Sequence, residues 1–289
     1  VSGVADDPVL LREATSWGVR LTLNRPAKLN ALSAELRDAL TEAIVDAAAD
    51  DAVRVIVIAG SGRAFCAGYD LSEAAPPTAW QWRDVLERDV RATLAIWSCQ
   101  KPVIAQVHGY ALAGGLELAM ACDLVVAAED AQLGEPEIRF GSAPVTLLMP
   151  FVIGQKKTRE LLLTGDLIDA AEAERIGLIN RVVRADRLAA EVDALADRLA
   201  RVPPDVMAPT KLMLNRAMDA AGFAAAVEMG LDLQAFVNMS ETAREFDAIV
   251  RADGLKAALA WRDRRYDERL AGSGTRAGPP SDRTSDPTP

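Results

Sequence analysis

Three short apolar runs rich in β-branched residues constrain this chain most: residues 53–59 (VRVIVIA), 101–107 (KPVIAQV) and 122–128 (CDLVVAA). The first is too continuous to leave one face in water and reads as a strand covered on both sides, the second reads as a buried strand, and the third as another strand. Between them the spacing becomes helical. Trp82, Val85, Leu86, Val90, Leu94 and Trp97 form one stripe of a helix over 79–97, and residues 109–120 turn into a second helix. Upstream, 17–23 alternates like a strand and 24–32, with Pro26, reads as a loop. Ser33 then caps a helix with Leu36, Leu40, Ile44 and Ala47 on one face. Strands alternating with helices predict an α/β fold with a parallel sheet.

Beyond about Gly154 strands nearly vanish. Asp169 with Glu172 has capping-box spacing, Gly177 suits a helix C-cap, and 178–183 is one more strand before helices run to about Arg269. The chain divides into a core over 1–200, a helical region over 201–270 and a tail over 271–289. That tail is rich in Gly, Pro, Ser, Thr and Asp with no large apolar residue, a composition that predicts disorder. Residues 223–250 carry more apolar side chains than one helical stripe needs, so the surplus must be buried inside this subunit or against another copy.

Charge and cysteine usage remove several function classes. Lys plus Arg number 32 against 42 Asp plus Glu, a net charge of −10, which disfavours nucleic acid and anionic membranes but allows a local basic pocket for a phosphorylated ligand. Cys66, Cys99 and Cys122 form no metal-ligand spacing, and the sole histidine is His108, so a zinc site, a disulfide framework and an imidazole triad have little support. The opening VSGVADDPVLL has acidic residues where a secretory leader is basic, and no apolar run reaches membrane-spanning length. The expectation is a cytoplasmic protein with no metal and no separate cofactor.

Two turns of small residues follow buried strands, Cys66-Ala67-Gly68-Tyr69 and Ala113-Gly114-Gly115. Backbone N–H groups can approach a ligand closely there, as in an oxyanion hole; tight helix-strand packing explains the same residues. Neither turn is a dinucleotide fingerprint or a P-loop. Glu117 interrupts an otherwise apolar helix start, and Glu137 follows one strand later with Glu135 as its rival. Two carboxylates at one mouth can perform acid/base chemistry, but a helix-dipole contact for Glu117 and a solvated loop for Glu137 are the alternatives. His108 reads as structural and Cys66 as a buried thiol, while Trp80 and Trp82 either line a pocket or pack a helix.

Taken together, NRPAKLNAL (24–32), RAFCAGYDL (63–71), KPVIAQVHGYALAGGLELAMACDLVVAAEDA (101–131), LGEPEIRFG (133–141) and RELLLTGDLIDAAEAERIGLINRVV (159–183) resemble, in order and spacing, the crotonase family of enoyl-CoA hydratases and isomerases. The resemblance implies a ββα spiral with a helical C-terminal region, assembled as a trimer or a dimer of trimers, and an acyl-CoA thioester as substrate. By residue matching it places the oxyanion donors on the N–H groups of Tyr69 and Gly114. The acid/base pair falls on Glu117 and Glu137, and CoA contacts fall on Arg25, Lys28, Ala67 and Asp70. The implied reaction is hydration of a 2-enoyl-CoA to a 3-hydroxyacyl-CoA. A Δ3-Δ2 isomerase, a hydratase-lyase acting on a bulkier acyl group, and a non-catalytic acyl-CoA binder are the alternatives. Two departures stand out. Ala113 replaces the first glycine of the second turn, which a negative φ would tolerate. Residues 144–150 (PVTLLMP) stand where many hydratases carry a glycine-rich segment, leaving the acyl group open.

Overall fold

The computed structural model describes residues 7–272; the tail expected to be disordered lies, beyond Gly272, outside the described residues. A hairpin opens the fold, with β1 (Leu10–Thr15) antiparallel to β2 (Gly18–Leu23). The sequence gives no warning of β1, an edge strand whose middle four residues are exposed and therefore lack any alternation. After the loop, α1 (Ala34–Ala49) crosses to β3 (Val55–Gly60), parallel to β2. Ser33 caps α1, its hydroxyl accepting from the Leu36 N–H at 3.3 Å, a bond that contributes about 1 kcal/mol. Leu36, Leu40, Ile44 and Ala47 are buried as the spacing predicts, the three larger ones each stabilising by roughly 1.5–3 kcal/mol.

The helical stripe over 79–97 is two helices rather than one, α2 (Ala79–Asp89) and α3 (Arg91–Ser98), parted at Val90. The break has a packing reason. α3 packs on α1, whereas α2 leans over a cavity that Trp82, Val85, Leu86 and Asp89 line, and one straight rod cannot do both.

Next come β4 (Val103–Val107), β5 (Tyr110–Leu112), α4 (Gly114–Ala121), β6 (Leu124–Ala128) and β7 (Gln132–Gly134). They are followed by α5 (Met149–Ile153), α6 (Gln155–Thr164), β8 (Ile168–Asp169), α7 (Ala170–Arg175), β9 (Arg181–Val183) and α8 (Leu188–Ala200). The C-terminal helices are α9 (Pro204–Ala220), α10 (Phe223–Val237), α11 (Glu241–Asp253) and α12 (Leu255–Gly272). The run 223–250 is thus broken after Val237, and Ser240 caps α11 through the Ala243 N–H.

Six strands form the main sheet in the order β1-β2-β3-β4-β6-β9, parallel from β2 onward. A smaller sheet, β5-β7-β8, lies beside it. β4 leads to β5 and then α4, and β6 leads to β7, so each turn of the chain places one strand in each sheet. The double coverage expected of the buried strands is present. Ile56 and Ile58 of β3 belong to the core under α1, while Val55 and Val57 join Leu188, Val192 and Leu195 of α8 on the other face. α9 is tied to this core by Lys211, whose Nζ donates to Asp123 Oδ2 at 2.7 Å.

Candidate functional site

Strand register brings the site together. Cys66 forms a parallel bridge with Ala111, and Ala111 pairs with Leu133 in the β5–β7 ladder, so three successive turns of the spiral stack here. Three residues beyond Cys66 is Tyr69, three beyond Ala111 is Gly114, and four beyond Leu133 is Glu137. Hydrogen bonds fasten the first turn on both sides. The Cys66 N–H donates to the Tyr110 carbonyl (2.9 Å), the Leu112 N–H to the Cys66 carbonyl (3.0 Å), and the Leu32 N–H to the Gly68 carbonyl (2.8 Å). Among the described residues, neither the Tyr69 N–H nor the Gly114 N–H meets a backbone acceptor.

The two small-residue turns touch. A Cβ on Gly68 would lie 2.7 Å from Ala113 Cβ and 3.4 Å from Gly114 N, and Gly68 has φ +94°, so glycine is required there on both counts. Ala113 departs from expectation, with φ +53° and ψ −132° in place of a negative φ. The backbone holds an alanine where glycine is favoured, because the turn must swing from β5 into α4 within one residue.

Glu117 is fully buried in the first turn of α4. Its Oε1 accepts from the Val145 N–H (3.0 Å), the Thr146 N–H (2.6 Å) and Thr146 Oγ1 (2.6 Å), while Oε2 is buried without a partner among the described residues. Burial pushes its pKa up, and those three donors pull against the rise. Glu137 sits on a single helical turn, Pro136–Phe140, closed by Gly141 at φ +88°. Burial pushes it up to about 8, the negative charge of Glu117 adds to the rise, and its own backbone N–H opposes it. Glu135 is buried too, with one carboxyl oxygen unpartnered, and its pKa is raised well above the ordinary value by burial and then by Glu137 and Glu117. The rivalry between them resolves by position: Glu137 faces the cavity with Glu117 and Tyr69, and Glu135 does not.

That cavity has a volume of about 990 Å³. Lys28, Ala67 and Asp70 line it. Arg25 does not; its guanidinium donates to the Ala31 carbonyl (2.5 Å) and to Asp70 (2.8 Å), bracing the loop instead. Arg63 and, from α12, Lys256 also face the cavity, and sequence reasoning missed both because nothing in their local spacing marks them. Trp82 lines the cavity, whereas Trp80 is 84% exposed. His108 Nε2 lies 3.0 Å from the Gly62 carbonyl outside the cavity, and the Cys66 thiol is held near 12 by burial, so neither is placed for chemistry.

The chain is similar to known proteins over most of its length. The family model described as enoyl-CoA hydratase/isomerase matches residues 17–250. A protein of Mycobacterium tuberculosis (strain CDC 1551 / Oshkosh) named as a probable enoyl-CoA hydratase is 40% identical over 205 residues, 70% of this chain and 79% of that protein. Crotonyl-CoA hydratase of Syntrophomonas wolfei is 38% identical over 200 residues, 68% of this chain and 76% of the relative. The crystal structure of an enoyl-CoA hydratase/isomerase from Xanthobacter autotrophicus Py2 superposes with a TM-score of 0.86 at 40% identity, covering 89% of this chain and 98% of its own. The ββα spiral with its helical C-terminal region is the crotonase fold, and the chain belongs to the enoyl-CoA hydratase/isomerase family.

Proposed function

We propose that this protein adds water across the double bond of a 2-enoyl-CoA thioester to give a 3-hydroxyacyl-CoA. The observation that carries this reading is the convergence of two buried carboxyls, Glu117 and Glu137, on one cavity beside two unpaired backbone N–H groups. In this mechanism the Tyr69 and Gly114 N–H groups bind the thioester oxygen as it gains negative charge; losing one such donor typically costs about 3 kcal/mol of barrier. Glu117, whose three donors oppose the rise that burial imposes, acts in its ionised form and takes a proton from water as the water oxygen bonds to the β-carbon. Glu137, protonated near neutrality, delivers a proton to the α-carbon. Passage of a proton from Glu117 back to Glu137 through solvent restores the resting enzyme. Lys28, Arg63 and Lys256 are the cations this reading assigns to the CoA phosphates.

The single-carboxylate isomerase alternative leaves one of the two acids without a task, which favours hydration. Loss of the conjugated thioester absorbance on mixing with short and medium 2-enoyl-CoA esters tests the reading. No loss with any ester, beside a working control hydratase, removes it.

We also propose assembly as a trimer or a dimer of trimers. The surplus of apolar residues over 223–250 supports it: Phe223, Val227, Leu231 and Phe246 are buried within the subunit, but Met229, Leu233 and Phe236 remain exposed. The three free, buried thiols fit a reducing, cytoplasmic setting, and among the described residues no single helix is long and apolar enough to cross a membrane.

A further inference from the structure

We propose that the acyl group of the substrate carries a neutral hydroxyl beyond the β-carbon, recognised by Tyr69, Asp89 and Gln234. This deepens the hydratase reading and rests on it. All three side chains line the cavity, and one polar atom of each is buried with no hydrogen-bond partner among the described residues: Tyr69 Oη, Asp89 Oδ1 and Gln234 Oε1.

Their orientations are fixed by neighbours. The Tyr69 ring lies on Gly114, where a Cβ would come 2.6 Å from Cε2, and the Arg37 guanidinium sits 5.8 Å from the ring centre. Asp89 Oδ1 is 3.0 Å from that guanidinium but off the line of a hydrogen bond. Gln234 donates its amide nitrogen to Ser142 Oγ (2.5 Å) and to Asn238 Oδ1 (3.0 Å), which leaves its carbonyl as a free acceptor. The cavity lining therefore holds one unpaired donor, Tyr69 Oη, and two oxygens that can still accept, Gln234 Oε1 and the ion-paired Asp89 Oδ1.

A buried polar group left unpaired costs about 1–3 kcal/mol. An alkyl chain pairs none of these atoms, whereas a hydroxyl both donates and accepts. Sites built to hydrogen-bond a substrate hydroxyl discriminate strongly against the analogue that lacks it. The charge balance argues against an anionic substituent. Arg37 is already engaged by Asp89 and by Glu73 at 3.2 Å, and Glu117 and Glu137 stand in the same cavity.

Equilibrium binding of saturated acyl-CoA esters, followed by titration calorimetry, tests this without any need for turnover. The probes are length-matched esters with an alkyl chain, a hydroxyl beyond the β-carbon, or a terminal carboxylate. At least one hydroxylated ester should bind about ten-fold more tightly than its alkyl partner, the equivalent of one well-made hydrogen bond. Tyr69→Phe, which keeps the ring and the backbone N–H, and Gln234→Met should each lower that ratio several-fold. Equal or weaker binding of every hydroxylated ester overturns the proposal, even for an enzyme that hydrates alkyl enoyl-CoA esters well. Tighter binding of the carboxylated ester overturns the neutral class, and a ratio that neither variant moves overturns the assignment to these residues. A clear hydroxyl preference in a protein that hydrates nothing supports the binding inference and refutes the hydratase reading, so the two failures are distinguishable.

Discussion

Thr146 holds Glu117 by two bonds at once: its backbone N–H and its hydroxyl Oγ1 each lie 2.6 Å from Glu117 Oε1. The segment that departs from the glycine-rich pattern of many hydratases thus grips the proposed base rather than leaving it loose. With Val145 adding a third donor, Oε1 is saturated and Oε2 is left to accept a proton. Replacing Thr146 by valine keeps the volume and both backbone donors and removes only the hydroxyl. A hydrogen bond to a charged group contributes about 1.5–3 kcal/mol, so kcat/KM should fall roughly ten-fold or more, and Thr146→Ser should restore it. The acid limb of the pH profile should also move upward, because ionised Glu117 has lost a donor that opposes burial. An unmoved limb would show that the hydroxyl does not tune this carboxylate.

Glu137 supplies the other limb. With its pKa pushed up to about 8 and its proposed role needing the proton, kcat/KM should decline as pH rises through that value. Glu137→Gln should lower turnover by roughly 10²–10⁴-fold, the usual contribution of a positioned acid, and should erase the alkaline limb from whatever activity remains. A variant that keeps the limb would place the titrating group elsewhere.

The third carboxyl, Glu135, predicts a stability effect. It is 2% exposed, one of its oxygens is unpartnered, and its pKa is raised well above the ordinary 4.5. The folded protein therefore keeps a proton that the unfolded chain has released. That contribution is fully present below the unfolded-state value and is lost as pH rises through the folded-state value. Glu135→Gln stays neutral at every pH. Its melting temperature should exceed that of the parent at pH 8, with the gap closing toward pH 5. A gap of constant size would mean that shape, and not ionisation, sets the difference.

Strain at the second turn is open to test as well. Ala113 at φ +53°, ψ −132° occupies a region where a Cβ costs on the order of 1–3 kcal/mol, and that Cβ leaves no room for a side chain on Gly68 in the other turn. Ala113→Gly should stabilise the fold by about 1 kcal/mol after the extra freedom of an unfolded glycine is counted. Denaturant unfolding should show a higher midpoint with an unchanged slope. A lower midpoint would show that the methyl group's packing outweighs the backbone cost.

What was legible in the sequence follows from the range of the interactions. Gly68, Gly114 and Glu117 lie in local patterns, a strand run ending in small residues and a carboxylate in an apolar helix start, so they could be singled out before any coordinates. The strands β5 and β7 are three residues each, too short for alternation to register, yet their pairing sets the stack of turns that joins Tyr69, Gly114 and Glu137. Residues 144–150 stand out in the sequence, but the bond from Thr146 to Glu117 does not, because no periodicity links it to a residue so far upstream. The contact is made by an irregular loop that bends through Leu147 at φ +47°. Arg25 shows the converse: a loop arginine reads as a phosphate ligand until folding brings Asp70 to within 2.8 Å of it.

The C-terminal helices carry the last prediction. Along α10, Met229, Leu233 and Phe236 repeat at helical spacing on one face and are 53%, 58% and 69% exposed, while Phe223, Val227 and Leu231 fill the opposite face against the core. α9 adds Met213 and Leu214, 64% and 65% exposed. Isolated apolar residues on a surface need no explanation, but three in register on one helix form a patch that water disfavours and a second copy can cover. Since these side chains lie outside the subunit's own core, Leu233→Glu with Phe236→Glu should leave the fold intact. Sedimentation at micromolar concentration should give the parent a mass of three or six times 30.9 kDa and the double variant a mass near 30.9 kDa, with an unchanged circular dichroism spectrum. A parent that sediments as a stable, active monomer would show that this patch is not an interface between copies of the chain.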